Sequence, residues 1–369
     1  MMSALTIIHY LPISYYPPTM NLVDMIENTV DIQIVSTRPD KGKLIYAPKR
    51  VKLYTPVVCE DVDSSIVRLL KYFWFSLFSL IKLLYKKPNT VMYYESISAF
   101  PVYIYKRYIN KNANVYIHYH EYSTEDEYNA PGRKLFAMNH RIERKWLYTH
   151  SHWISHTNNK RIELFLEDCP MVDRKCVHVL PNYPPKSWRC KSKRHDGDVC
   201  KCVYVGSLSM NDTFVMEFCE WVERQKGRVT FDMFSFNFHK GTMDAVNALN
   251  CPYIHFHEEG IAYKEIPNLL DGYDVGILLY KANSINFQWN ETNKFYEYLI
   301  CGLDVWYPKE MLLLHELDKS QFGPQVKEMD FINIDAFDGT VKQGAVDNSS
   351  YHWFADDVYV DFVTNFWGA

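Results

Sequence analysis

The stretch Asn293-Lys294-Phe295-Tyr296-Glu297-Tyr298-Leu299-Ile300-Cys301-Gly302-Leu303-Asp304 carries residue types suited to handling a nucleotide. It lies between two apolar runs, Val275 to Leu279 and Val305-Trp306-Tyr307, which read as strands of a parallel sheet joined through one short helix. At about 100° per residue, Asn293, Lys294 and Glu297 share one side of that helix while Phe295 and Leu299 face the other. A helix that starts at the carboxyl end of a strand points its N-terminus into the ligand crevice of an open sheet. There Lys294 and the first N–H groups could hold a phosphate, and Glu297 could accept hydrogen bonds from a ribose. Gly302 falls where a helix C-terminus favours a residue able to adopt positive φ. The pattern also fits an ordinary core helix with a carboxylate in its first turn, where the dipole favours one.

Other residues invite chemistry less directly. In Val115-Tyr116-Ile117-His118-Tyr119-His120, alternation puts His118 and His120 on one face, and only His120 with Glu121 reaches the carboxyl tip of the strand. Gly206 and Ser207 lie at the end of the strand Cys202 to Gly206 and the start of its loop, where backbone could approach a phosphate closely. Tyr15 and Tyr16, after the first strand, could form an acceptor wall or simply fill a loop. His150, His152 and His156 have metal-ligand identity but no acidic partner at ligand spacing, so a structural role is favoured. Cys200 and Cys202 are the only tight pair among nine cysteines, and no zinc or redox spacing appears, so reduced thiols in the cytoplasm are expected.

At 369 residues the chain exceeds what one core usually holds, so two domains are expected. Hydrophobic residues at 47% and charged residues at 23% describe a folded chain rather than a disordered one. A net charge of −4 argues against a dedicated nucleic-acid partner. Met1 to Val23 has no positive charge ahead of its apolar residues and does not read as a signal peptide. The charge-free run between Lys71 and Lys82 is ten residues long, too short to span a bilayer.

The elements that must position these residues alternate between strand and helix. Leu5 to Tyr10 reads as the first strand, with a proline-containing loop to Met20 and a helix capped by Asn21. That loop lacks the glycines of a dinucleotide fingerprint. Asp31 to Ser36 is the next strand, and Lys41 to Tyr54 reads as extended, hairpin-like structure. Ser64 to Lys87 is a basic, aromatic helix, which suits either a crossover buried against the sheet or a helix lying on an anionic membrane. Strands at 90–94, 115–120, 153–157 and 176–180 follow, with helices from Ala99 to Tyr108, Arg133 to Tyr148 and Asn158 to Glu167 between them. Lys186 to Val199, charged and bounded by prolines, is the best linker. The alternation then restarts with strands at 202–206, 229–234, 253–256, 274–280 and 305–307 and an aromatic, acidic, helical tail from Tyr351 to Trp367.

Taken in order, two α/β halves, a Pro181-Asn182 hinge, a strand-Gly206 loop and the Asn293 to Leu303 stretch resemble the GT-B glycosyltransferases. The nearest branch is the family 4-like enzymes of bacterial surface-polysaccharide synthesis. The likeness is most specific from Gly260 to Trp306, including Ile266-Pro267-Asn268-Leu269-Leu270 and Tyr273-Asp274-Val275-Gly276-Ile277. It implies two Rossmann-like domains facing across a cleft: 1–187 for the acceptor, 188–345 for the nucleotide-sugar, and a segment 346–369 whose helix returns to the first domain. By position, Glu297 resembles the glutamate that holds the ribose hydroxyls. Gly206 and Ser207 resemble the loop at the diphosphate, with Asn293 and Lys294 at the facing helix start. His120 resembles the histidine that meets the donor sugar near the reacting carbon, and His257 to Ile261 would lie by the base. No metal is implied; the nucleotide-sugar is a co-substrate.

Two departures from that family matter. Many retaining members carry an Arg and a Lys shortly after the glycine equivalent to Gly206, yet Ser207 to Thr213 contains neither. Many also carry a glutamate eight residues before the one at Glu297, a position occupied here by Trp289. Lys294 or Lys281 would have to replace the missing cations at the leaving diphosphate. The expected activity is transfer of a sugar from a nucleotide-sugar to a saccharide or lipid-linked saccharide, with retention. If the reaction inverts instead, Glu121 and then His120 are the candidate bases. A sugar-nucleotide epimerase of the same fold and a non-catalytic scaffold subunit are the alternatives. The expected location is the cytoplasm, with peripheral contact at the inner face of the membrane through 64–87.

Overall fold

The computed structural model describes residues 4–39, 46–59, 63–189, 198–235, 237–317, 322, 325–339 and 351–367. Part of the expected linker, the start of the expected hairpin-like stretch and the expected boundary at 345 lie outside these residues. The chain forms two compact units, residues 1–181 together with 355–369, and residues 182–354.

The first unit is built on β1 (Ala4–His9), β2 (Asp31–Ser36), β4 (Lys52–Tyr54), β6 (Thr90–Tyr94), β7 (Asn114–Tyr119), β8 (Trp153–His156) and β9 (Val177–Val179). They form a seven-stranded sheet in the order β4-β2-β1-β6-β7-β8-β9, parallel throughout. A sheet covered on both faces needs near-continuous apolar strands, and Ile7, Ile8, Ile34, Val35, Val91, Val115 and Ile117 are all fully buried. Two further short strands, β3 (Arg38–Pro39) and β5 (Val58–Cys59), pair with each other.

Three sequence expectations need correction here. The stretch before Tyr54 is not a hairpin, because β4 pairs parallel to β2 with Gln33 opposite Lys52. The connection is a crossover tied to the helix Pro17–Ile26: Tyr46 Oη donates to Asp24 at 2.6 Å, and the Lys49 and Arg50 amides donate to Glu27. Asn21 is not a cap. The helix starts at Pro17, since proline lacks the N–H that a first turn leaves unpaired and its φ is preset for the helix. The helices after β6 and β7 are not uniform either, passing through π-helical segments at Tyr105–Ile109 and Glu143–Leu147.

The helix Ser65–Lys86 has the two faces its sequence left open. Ser64 caps its start, and Tyr72, Phe75, Ser76, Ser79 and Leu83 form the buried stripe. The opposite side exposes Ile66, Leu69, Leu70, Phe73, Trp74, Leu77, Ile81, Leu84 and Tyr85, with Phe73 at 65% and Trp74 at 49%. Among the described residues, no helix is long and apolar enough to cross a membrane.

The second unit holds β10 (Cys200–Val205), β11 (Val229–Phe234), β12 (Ile254–His257), β13 (Val275–Ile277), β14 (Asp304–Pro308) and β15 (Val326–Met329). Their order, β12-β11-β10-β13-β14-β15, is parallel and is that of a Rossmann fold. The helix Lys240–Ala248 and strand β15 lack counterparts in the sequence reading.

The last helix, Ala355–Trp367, follows the second unit in sequence but packs on the first. Tyr359 Oη donates to the Pro18 carbonyl at 2.9 Å, and the Phe362 ring meets Trp153 at 4.9 Å and Tyr116 at 5.9 Å. Ending the chain after Phe354 is therefore expected to destabilise the first unit by several kcal/mol, from the lost burial of Tyr359 and Phe362. Hydrogen exchange checks this: protection should fall in β7 and β8 while β10 and β11 keep theirs.

Candidate functional site

In an open parallel sheet, ligands settle beyond the carboxyl ends of the strands where the strand order reverses. In the second unit that point lies between β10 and β13. Gly206 follows β10 directly, and a Cβ built on it would stand 2.5 Å from Lys294 Cε and 3.0 Å from Nζ. Glycine is thus required for the lysine stem to lie where it does. The Lys294 ammonium donates to Tyr280 Oη at 3.1 Å, just past β13, and Tyr204 Oη donates to the Ser207 carbonyl at 2.7 Å. Burial opposes the charge on Lys294, but the Tyr280 hydroxyl and Glu297 outweigh it, so its pKa ends above the usual lysine value.

The helix Asn293–Ile300 is held against the sheet by close contact. Tyr298 lies over Gly276, where a Cβ would come within 2.1 Å of its ring, and its hydroxyl accepts the Val205 amide at 3.1 Å. Phe295, Tyr296, Tyr298, Leu299 and Ile300 are all buried, so the helix is enclosed rather than two-faced. It ends in a Schellman motif: Gly302 has φ 82°, its amide donates to Leu299 O, and the Leu303 amide donates to Tyr298 O. At the other end Thr292 supplies no side-chain cap, and its buried hydroxyl has no hydrogen-bond partner among the described residues. Glu297 is buried one turn in, accepting from Asn293 Nδ2 at 2.6 Å and from the Tyr263 hydroxyl. Burial pushes its carboxyl above the usual range, against the pull of Asn293, Lys294 and Tyr263.

Two other nominated residues lie apart from this group. His257, at the end of β12, stacks on Phe234 at 4.1 Å and pairs through Nε2 with Asp232 at 2.9 Å. The Lys281 ammonium is held by Glu217 at 3.2 Å and the Met210 carbonyl at 2.8 Å. It is thus tied to the far end of the loop that follows Gly206, at Met210, and its charge is met there by Glu217.

In the first unit the strand order reverses between β1 and β6. Buried His120, just past β7, is fixed from every side. Its amide donates to Glu95 Oε1 at 2.8 Å, its carbonyl accepts from buried Arg161 at 2.5 Å, and its Nε2 lies 3.0 Å from Thr19 Oγ1. Tyr16 and Tyr94 stack on the ring at 4.9 and 5.2 Å. Glu121 is exposed, and Tyr15 is 39% exposed. His118 meets the His120 ring edge-on at 4.6 Å and pairs with Ser155 at 2.9 Å.

Glu95 is the carboxylate that the sequence did not single out. It follows β6 with φ 61°, a conformation that costs a non-glycine residue energy. Loss of solvation and the charge of Glu121 push its pKa up to about 8, although the His120 and Glu121 amides and Arg161 oppose this.

His150 stacks on Trp146, and buried His156 on Tyr119. Among the described residues, no cluster of three or more His, Cys, Asp or Glu side chains could hold a metal ion.

No protein-family model matches the sequence, and no curated protein matches it either. Solved structures do match. The apo lipopolysaccharide outer core galactosyltransferase WaaB is 12% identical, covers 99% of both chains and superposes with a TM-score of 0.62. Anabaena Alr3699/HepE in complex with UDP and glucose is 10% identical over 99% of this chain and 95% of that one, at 0.60. The UDP-GlcNAc 2-epimerase of Neisseria meningitidis bound to UDP-GlcNAc is 11% identical over 100% of both chains, at 0.57. The chain has the GT-B fold, two parallel-sheet α/β units, and its own last helix belongs to the first of them.

The buried titratable groups set a pH signature. Glu95 binds its proton more tightly folded than unfolded, so stability falls as pH rises from the ordinary carboxylate range towards about 8. Burial lowers His9 and His118 to about 3, so they stay neutral in the fold while the unfolded chain protonates, and stability falls as pH drops below 6.5. In urea melts of the whole chain the two contributions therefore oppose each other between the ordinary carboxylate range and about pH 8, Glu95 lowering stability as pH rises while the buried histidines raise it. Glu95→Gln should remove the falling contribution across that whole interval, so that stability rises with pH through the histidine range more steeply than in the native chain.

Proposed function

We propose that this protein is a glycosyltransferase that takes a sugar from a nucleotide-sugar and passes it to a saccharide or lipid-linked saccharide in bacterial surface-polysaccharide synthesis. The observation that carries this reading is the Lys294 stem seated on Gly206, which holds an ammonium at the reversal point of the second sheet one turn from buried Glu297. An uncapped helix start beside it adds backbone N–H groups, and together they suit a diphosphate next to a ribose. Structures of this fold hold UDP, UDP-glucose and UDP-GlcNAc, which favours a uridine nucleotide as the first donor to test.

In this reading Glu297 accepts the ribose hydroxyls, and Gly206, Ser207, Asn293 and Lys294 surround the diphosphate. Lys294 replaces the absent Arg and Lys, since Lys281 is already paired with Glu217. Cleaving the bond from sugar to diphosphate leaves negative charge on the departing phosphate, and a preorganised ammonium in a water-poor site stabilises it without reorganising. His120, locked by Glu95, Arg161 and Thr19, is the group that polarises the donor sugar. With Glu121 exposed to solvent, retention with the leaving phosphate as base is the preferred course. No metal is required. The exposed apolar face of Ser65–Lys86 provides the peripheral contact with the inner face of the membrane where a lipid-linked acceptor resides.

UDP should raise the melting temperature of the whole chain, and Glu297→Ala should weaken it roughly ten- to hundred-fold by titration calorimetry, the value of hydrogen bonds to a charged group. Lys294→Met should weaken UDP while sparing uridine. No stabilisation by any nucleotide or nucleotide-sugar would count against the reading. The epimerases of this fold supply the second reading. Proton NMR of UDP-sugars incubated with the protein separates the two, since transfer requires an acceptor and releases UDP whereas epimerisation gives an isomer without one. His120→Ala should abolish turnover and leave UDP affinity within about twofold.

A further inference from the structure

An open cavity on the first unit lies outside the residues assigned above. It has a volume of about 530 Å³ and is lined by Lys106, Arg107, Tyr108, Lys111, Trp146 and His150. Its cations are not paired with carboxylates among the described residues. Lys106 Nζ donates to the Lys111 carbonyl at 2.7 Å, and Arg107 donates to Tyr103 Oη at 2.6 Å with its guanidinium near the Tyr103, Tyr108 and Trp146 rings. Trp146 and His150 stack at 4.1 Å with 15° between their planes. The Arg107 fork is thus held in place by aromatic rings, the arrangement that favours a planar or tetrahedral oxyanion.

The surroundings point to the source of that anion. Lys106, Arg107 and Tyr108 belong to the π-helical segment Tyr105–Ile109, and Tyr105 Oη donates to the carbonyl of Pro88, two residues past the Ser65–Lys86 helix. Tyr108 and Ile109 are themselves exposed beside the cavity. Of the helix's own cations, Lys71 pairs with Asp63, Lys86 with Asp31, Lys82 lies over the Tyr54 ring at 3.8 Å, and Arg68 donates to the Asp63 carbonyl. The cavity adds Lys106, Arg107 and Lys111, none paired with a carboxylate among the described residues, to the basic charge beside this helix.

We propose that this cavity binds a phosphate group presented by an anionic lipid headgroup, so that a specific lipid contact supplements the apolar helix. The lipid source rests on the membrane-contact reading, whereas the cavity's anion chemistry does not, and neither depends on the nucleotide site. The test is flotation of the full-length chain with phosphatidylcholine vesicles, alone or containing phosphatidylglycerol, alongside calorimetry with glycerol phosphate. Arg107→Gln with Lys111→Glu probes the cavity, and Phe73→Ser with Trp74→Ser probes the helix; circular dichroism and melting confirm that both remain folded. The expected result is binding to the phosphatidylglycerol vesicles that weakens with salt and falls tenfold or more in the cavity variant, with negligible binding of glycerol phosphate. Vesicle binding lost only in the helix variant would overturn the cavity's role. Tight binding of glycerol phosphate dependent on Arg107, without vesicle binding, would overturn the lipid source. Binding of neither would overturn the proposal.

Discussion

The second unit depends on the absence of two β-carbons. At Gly206 the missing atom makes room for the Lys294 stem, and at Gly276 it makes room for the Tyr298 ring. Tyr298 then reaches the Val205 amide, so the helix is joined to the strand that carries Gly206. The contacts reinforce each other: the ring fixes the height of the helix over the sheet, and that height sets where the ammonium arrives. Adding a methyl group at Gly276 would force ring or backbone to move, at a cost of roughly 1–3 kcal/mol, whereas one at Gly206 would displace the flexible end of Lys294. Interiors packed to this density pass such a shift on to their neighbours.

The first unit solves its positioning problem with polar groups. His120 is held through backbone and ring together, by a carboxyl, a guanidinium and a hydroxyl from three separate segments. Burying Glu95 and Arg161 is tolerable because each meets donors or acceptors on the His120 backbone. The cost is a backbone strained at Glu95 and a carboxyl that takes up a proton near neutrality. Such a group fixes geometry firmly, but it ties that geometry to pH.

Much of the fold was legible along the chain because its signals are local. Apolar runs separated by amphipathic stretches implied parallel α/β halves, and Gly302 announced a helix end through its own conformational freedom. What escaped depends on distant partners. Lys281 looked available in sequence until Glu217, from the helix Val215–Arg224, took its charge. The seating of Lys294 on Gly206 requires β10 and β13 to be neighbours, which no local pattern specifies. Glu95 gave no signal because its role lies in accepting amides that follow β7. Asn21 misled because the prolines before it start the helix earlier.

The central claim is that Glu297 faces ribose hydroxyls while Lys294 meets the diphosphate. Titration calorimetry comparing UDP with its 2′,3′-dideoxy analogue, on the native chain and on Glu297→Gln, addresses it most directly. Removing the hydroxyls should cost the native protein roughly tenfold or more in affinity and cost the variant little, because the partner of those hydroxyls has lost its charge. An equal loss in both proteins would place the ribose elsewhere and contradict the account.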